Sequence, residues 1–189
     1  MSATALNTHL FWITSRAAGS LALILASLSV GLGLLMGGGY LKRRTRDLRV
    51  LHEALSLGTI AALAVHAGAL LFDGFVHMSV LDVTVPFVTS YHRFWTSLGI
   101  IGGWAIVLLG LSFYVRDRIG RNRWKLLHRF TALGWLMGAG HALGEGTDAG
   151  QRWFLASMAI VVLPALALLL TRLGATRRPP TSQRALRPL

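Results

Sequence analysis

Long apolar stretches separated by short basic ones organise the chain. Five runs approach or exceed the ~20 apolar residues that carry a helix across a bilayer core. They are Leu10 to Met36, Leu51 to Phe72, Phe94 to Val115, Trp124 to Leu143 and Trp153 to Leu173. The fourth run carries polar residues, and the fifth contains Pro164, which predicts a bend. No period-2 alternation and no internal repeat are visible, so helices are predicted rather than a membrane barrel. The 21 glycines fall largely inside the runs, where small residues let helix backbones approach closely. The predicted fold is an all-α membrane protein: a five-helix transmembrane bundle over residues 1–174. A basic tail over 175–189, with Pro179 and Pro180, is expected to be disordered.

Charge then sets the orientation. Only 14% of residues are charged, against roughly 25% in soluble chains. The 19 Lys and Arg exceed the 7 Asp and Glu, but they do not form the polar basic face of a nucleic-acid binder. Nucleic acid is therefore set aside, and membrane lipid is the expected surrounding. The bases gather in three clusters: Lys42 to Arg49, Arg116 to Lys125, and Arg172 to Arg187. All three lie on one side of a five-span chain, and the positive-inside rule makes that side cytoplasmic. The expectation is a multi-pass protein of the inner or plasma membrane, N-terminus outside and C-terminus inside. Trp12, Trp95 and Trp153 mark the outer interface and Trp124 the inner one. The N-terminus lacks a positive n-region and the first run is too long for a signal h-region, so a first span is expected there. The absence of cysteine excludes disulfides, iron–sulfur clusters and thiolate metal sites.

Four of the seven histidines fall in the second and fourth runs: His52, His66, His128 and His141. Ionisable residues within a membrane are costly and mark function by default. The two runs go in the same direction, so His52 and His128 share one depth and His66 and His141 another. The separations are ~21 Å and ~20 Å at the rise of a helix. This is the arrangement of two bis-histidine hemes stacked across a bilayer, with ligands on facing helices. Fourteen steps bring His66 to within about 40° of the face of His52. Thirteen steps leave His141 about 140° from His128, so a local change of winding is predicted, with Gly134, Gly138 and Gly140 as candidate places.

The spacings H-x13-H in LHEALSLGTIAALAVH (Leu51 to His66) and H-x12-H in LHRFTALGWLMGAGH (Leu127 to His141) resemble the ferric reductase-like transmembrane domain. That family includes NADPH oxidases, ferric reductases and the heme-binding membrane subunit of bacterial methionine sulfoxide reductase. The opening FWITSRAAGSLAL, with Trp12, Arg16 and Gly19, is similar to the family's first helix. The resemblance covers roughly residues 10 to 173 and implies heme b (two). His52 and His128 would hold the inner heme, and His66 and His141 the outer. Larger members have six spans and flavin and NADPH domains, which are not expected here. The resemblance thus implies an oxidoreductase subunit without its own flavin half.

Supporting residues keep two readings each. Arg16 and Arg93 on the outer side, and Arg49, Lys125 and Arg129 on the inner, are candidate partners for heme propionates. They equally suit interfacial anchoring. Trp135, halfway between His128 and His141, is either a residue between the two hemes or core packing. On the outer face His9, His77, Asp82, Tyr91 and His92 are candidates for binding a ferric or cupric ion, or for loop packing, since their spacing matches no ligand motif. The segment VLDVTVPFV (Val80 to Val88) is too short to span and is expected to dip back and cap the outer site. Glu145 and Asp148 are candidates for a proton, a quinol or a cation, or for a solvated loop.

The expected function is a di-heme b transmembrane electron-transfer protein. Its donor would be a separate flavin reductase or quinol on the cytoplasmic side. Its acceptor would be ferric iron, oxygen or a periplasmic reductase partner. The alternatives are a membrane heme or metal carrier or sensor, and a structural subunit whose histidines only join helices.

Overall fold

The computed structural model describes residues 3–41, 45–146 and 149–176. The expected tail from 177 onward, the bases Lys42, Arg43 and Arg44, and Asp148 lie outside the described residues. Within them every regular element is helical and no strand occurs. The helices are α1 (Ala3–Gly37), α2 (Thr45–Leu70), α3 (Val80–Thr84), α4 (Arg93–Leu111), α5 (Arg116–Ile119), α6 (Arg121–His128), α7 (Thr131–Glu145) and α8 (Arg152–Thr176). A 3₁₀ turn over Ser112–Val115 joins α4 to α5.

Among the described residues, four helical stretches are long and apolar enough to cross a membrane, where five were expected. They are His9–Gly37, Arg46–Leu70, Arg93–Ile119 and Arg152–Gly174. The run expected over 124–143 is divided into α6 and α7 by a turn at Arg129 and Phe130. Neither piece alone reaches the ~20 residues of a span. Pro164 lies inside α8, which continues through it.

Two antiparallel hairpins form the body of the molecule. α1 pairs with α2, α4 pairs with α7, and α8 packs on α1. α4 and α7 approach so closely that a Cβ on Gly102 would stand 2.7 Å from the Gly134 carbonyl oxygen. The common core lies where α1, α7 and α8 meet, around Leu23, Ala26, Trp135, Ala139, Phe154, Met158 and Ala165. Trp135 is fully buried there, and its Nε1 donates to Ser27 Oγ at 2.9 Å. Arg172 of α8 caps the end of α1, donating from Nη1 to the Leu34 carbonyl at 3.2 Å and from Nη2 to that of Gly37 at 2.7 Å. These are terminal carbonyls that a helix cannot satisfy itself. Trp135→Ala is expected to destabilise the chain by about 3–5 kcal/mol, the range for a buried aromatic truncated to alanine. Thermal unfolding in detergent checks this, with Trp153→Ala, 61% exposed, as the near-neutral control.

Between α2 and α4 the chain turns back against the bundle over the Val80 to Val88 segment. α3 begins with a capping box in which Ser79 and Asp82 satisfy one another's backbone N–H groups. The Ser79 bonds hold the exposed Asp82 carboxyl below its usual range. At the end of α3 the Thr84 carbonyl accepts from Trp104 Nε1 at 2.8 Å. Trp104 stands eleven residues past Arg93, or ~16 Å along α4. The segment therefore reaches well down the side of that helix.

Candidate functional site

The structure brings the four histidines together in the two pairs expected from their depths. The His52 and His128 ring centroids are 6.2 Å apart with planes at 83°. Those of His66 and His141 are 6.3 Å apart at 70°. A metal–imidazole bond is about 2.0–2.1 Å, and a ring nitrogen lies roughly 1.1 Å from its centroid. Two imidazoles on opposite sides of one metal ion would therefore put their centroids about 6.3 Å apart. α2 and α7 do not pack closely on each other, and the His66 and His141 rings face one another between them.

Each ring is fixed from behind by a backbone carbonyl of the preceding long helix. His52 Nδ1 donates to the Ser29 carbonyl at 3.0 Å, and His66 Nδ1 to that of Ser15 at 2.8 Å. His128 Nδ1 donates to the Leu109 carbonyl at 3.4 Å, and His141 Nδ1 to that of Trp95 at 3.0 Å. A carbonyl only accepts, so Nδ1 carries the proton in all four rings. Nε2 is left with a lone pair, the tautomer a metal ligand needs. The Ser15 and Ser29 hydroxyls lie at 3.0 and 3.1 Å from the same Nδ1 atoms. Ser29 also reaches Ser56, whose hydroxyl donates to the His52 carbonyl at 2.8 Å.

Glycines make room for three of the rings. A Cβ on Gly19 would lie 2.9 Å from His66 Nδ1, one on Gly33 3.1 Å from His52 Cε1, and one on Gly99 2.7 Å from His141 Cγ and Nδ1. His128 is held differently. Trp124 stacks on it with centroids 4.9 Å apart at 25°, and Trp124 Nε1 is itself tied to Ser112 Oγ at 3.0 Å.

The change of winding demanded by the thirteen-step spacing occurs at Arg129 and Phe130, not at the glycines of α7. The N–H groups of Arg129, Phe130, Ala132 and Leu133 each bond three residues back. A 3₁₀ step turns about 120° instead of 100°. Four such steps add roughly 80°, cutting the mismatch of about 140° to about 60°. The break that shortens the expected fourth span is thus what swings His141 toward the side of His128.

A cavity of about 510 Å³ opens around the His66–His141 pair. Its wall includes Arg16, Trp104, Trp135, Gly138 and Glu145, and Met78 and Val83 of the returning segment close one side. Arg16 lies on this wall with its guanidinium 4.1 Å from the Trp12 ring. Arg93 is exposed at the start of α4 and does not line this cavity, and Arg129, a candidate for the inner pair, is exposed in the α6–α7 turn. Trp135 is both core and cavity wall. Of the other histidines, His77 Nδ1 donates to the Phe75 carbonyl at 3.3 Å, and His92 lies 3.7 Å from Glu145. Among the described residues no three His, Cys, Asp or Glu side chains are placed to hold a metal together.

Reading the sequence for chemistry overlooked the supports, although one signal was present. Ser15 and Ser29 are fourteen residues apart, as are Gly19 and Gly33, and as are His52 and His66. On antiparallel helices equal spacings bring both histidines onto equivalent S-x-x-x-G shelves. Comparison of the chain with protein families, with curated proteins and with solved structures finds no match.

Proposed function

We propose that the chain is a membrane electron-transfer protein holding two b-type hemes, one between His52 and His128 and one between His66 and His141. The observation that carries this reading is the pair of imidazole–imidazole separations, 6.2 and 6.3 Å, each close to the ~6.3 Å expected for two imidazoles sharing one ion. A site of only two protein ligands leaves most positions around a metal to be supplied otherwise. A heme at each pair would supply the remaining ligands, with the two histidines holding it. The resemblance to the ferric reductase-like transmembrane domain supports the same reading.

Heme, when bound, supplies the one-electron redox couple. The chain's own part is to hold the rings in the ligating tautomer and to keep water from the path with apolar helices. It also fixes the two sites ~21 Å apart along α2. Arg16, on the wall of the His66–His141 cavity, is the residue placed to meet an anionic propionate. Trp135 fills the protein between the two levels.

The basic residues Arg116, Arg118, Arg121, Arg123 and Lys125 adjoin the His128 end of the bundle. The positive-inside rule makes that end cytoplasmic, so electrons enter there from a flavin reductase or quinol. They leave at the His66–His141 end to ferric iron, oxygen or a redox partner outside. The four tethered rings favour permanent ligation over the exchange a heme carrier requires. The test is electron transfer in sealed vesicles bearing the heme-loaded protein, with ferricyanide trapped inside and a membrane-impermeant reductant outside. Ferricyanide reduction that disappears in His66→Ala is expected; a rate equal to that of protein-free vesicles contradicts the proposal.

A further inference from the structure

A buried carboxylate stands at the end of the cavity away from the core, and ligation does not use it. Glu145 lines the cavity four residues beyond His141, and its side chain is 13% exposed. Both carboxylate oxygens are shielded from solvent, and neither accepts a hydrogen bond among the described residues. The Thr96 hydroxyl faces the same carboxyl but spends its proton on the Tyr91 carbonyl at 3.0 Å. A carboxyl left in this condition is costly while ionised and is relieved by a proton.

A route for that proton is in place. His92 Nδ1 lies 3.7 Å from Glu145 Oε2, and the His92 side chain is 57% exposed. His92 adopts left-handed backbone with φ 34° at the entrance to α4. Its ring stacks on Tyr91 with centroids 4.7 Å apart at 10°. The imidazole is thereby held with one side in solvent and the other against the buried acid. Other groups around Glu145 also bear on its charge. Tyr91 has its phenol pushed up by partial burial and then by Glu145 and Asp73. Asp73 is buried with one oxygen unpaired. Arg16, His66 and His141 share the cavity wall.

We propose that Glu145 is the proton-binding group of the His66–His141 site, filled from solvent through His92 when that site is reduced. This rests on the heme reading. A heme held at that site would accept one electron from a one-electron reductant. One proton from water forms an O–H bond on Glu145, so the charge of the buried region is unchanged. An electron added to an apolar interior without such a partner is opposed by the low dielectric around it.

The test is a redox titration of the purified, heme-loaded protein by visible absorbance between pH 5.5 and 8.5. The potential of one heme is expected to fall as pH rises, by up to about 59 mV for each tenfold change in proton activity. Glu145→Gln is expected to remove this slope with heme content and spectrum unchanged, and Glu145→Asp to keep it. His92→Gln is expected to keep the slope but slow the proton uptake that a pH dye reports after rapid reduction. A wild-type protein with two hemes and pH-independent potentials overturns the proposal. So does a Glu145→Gln variant with the wild-type slope, since another group then takes the proton. A wild type without heme overturns the functional reading, and this inference with it.

Discussion

His66→Ala is expected to lower the heme content from two per chain to one and to leave the remaining heme's spectrum and potential in place, if the proposed two-heme reading holds. The two ligand pairs sit ~21 Å apart, and no ligand is shared between them, so loss of one need not disturb the other. His66 meets α1 at the Ser15 shelf and the Gly19 gap, and an alanine removes bulk there without adding any. His141 would then be the one protein residue left to hold the group at that site. His141→Ala has the same outcome, and the His66→Ala/His141→Ala double variant still binds one heme. Combining His66→Ala with His52→Ala gives none. This non-additive pattern is the signature of residues that act as a pair. Heme extracted per chain, read against protein concentration, checks each case.

A substitution that replaces no ligand is expected to have nearly as large an effect. Gly99→Val is expected to abolish heme binding at the proposed His66–His141 site, because its Cβ meets the His141 ring at 2.7 Å. That ring cannot retreat while its Nδ1 stays bonded to the Trp95 carbonyl at 3.0 Å. Moving it breaks the bond that fixes both tautomer and aim. Gly99→Ala produces a graded version of the same loss. Alanine improves intrinsic helix stability by about 1 kcal/mol over glycine, so a loss of heme cannot be put down to a weaker helix. Gly68→Ala is the control: it lies two residues from His66, and a Cβ there meets nothing within 4 Å. Circular dichroism should be unchanged in all three variants, with heme lost only from those at Gly99.

The histidines were legible because their positions, 52 and 66 on one run and 128 and 141 on another, convert directly into depth. A helix rises by a constant amount per residue, so pairing by depth needs no knowledge of side-chain packing. What holds them was harder to read. The acceptors behind the rings are carbonyls of Ser15, Ser29, Trp95 and Leu109, and every residue has a carbonyl. Only the matched fourteen-residue spacing of Ser15 and Ser29 betrays two of them. The arithmetic of helical turns required a distortion between His128 and His141, and one exists. Its place was misjudged, because glycine permits a kink but the short-range bonds around Arg129 and Phe130 make one. That same turn divides the expected fourth span into two helices. Arg16 reaches the cavity because it directly follows Ser15 of the shelf, whereas Arg93 stands exposed at the start of α4.

Heme stoichiometry of the purified wild-type chain, combined with its low-temperature electron paramagnetic resonance spectrum, tests the two-pair arrangement most directly. Two b-type hemes per chain, both six-coordinate and low-spin, are the expected result. Protein that stays free of heme after expression with ample heme supply, while remaining folded and monodisperse, would contradict it.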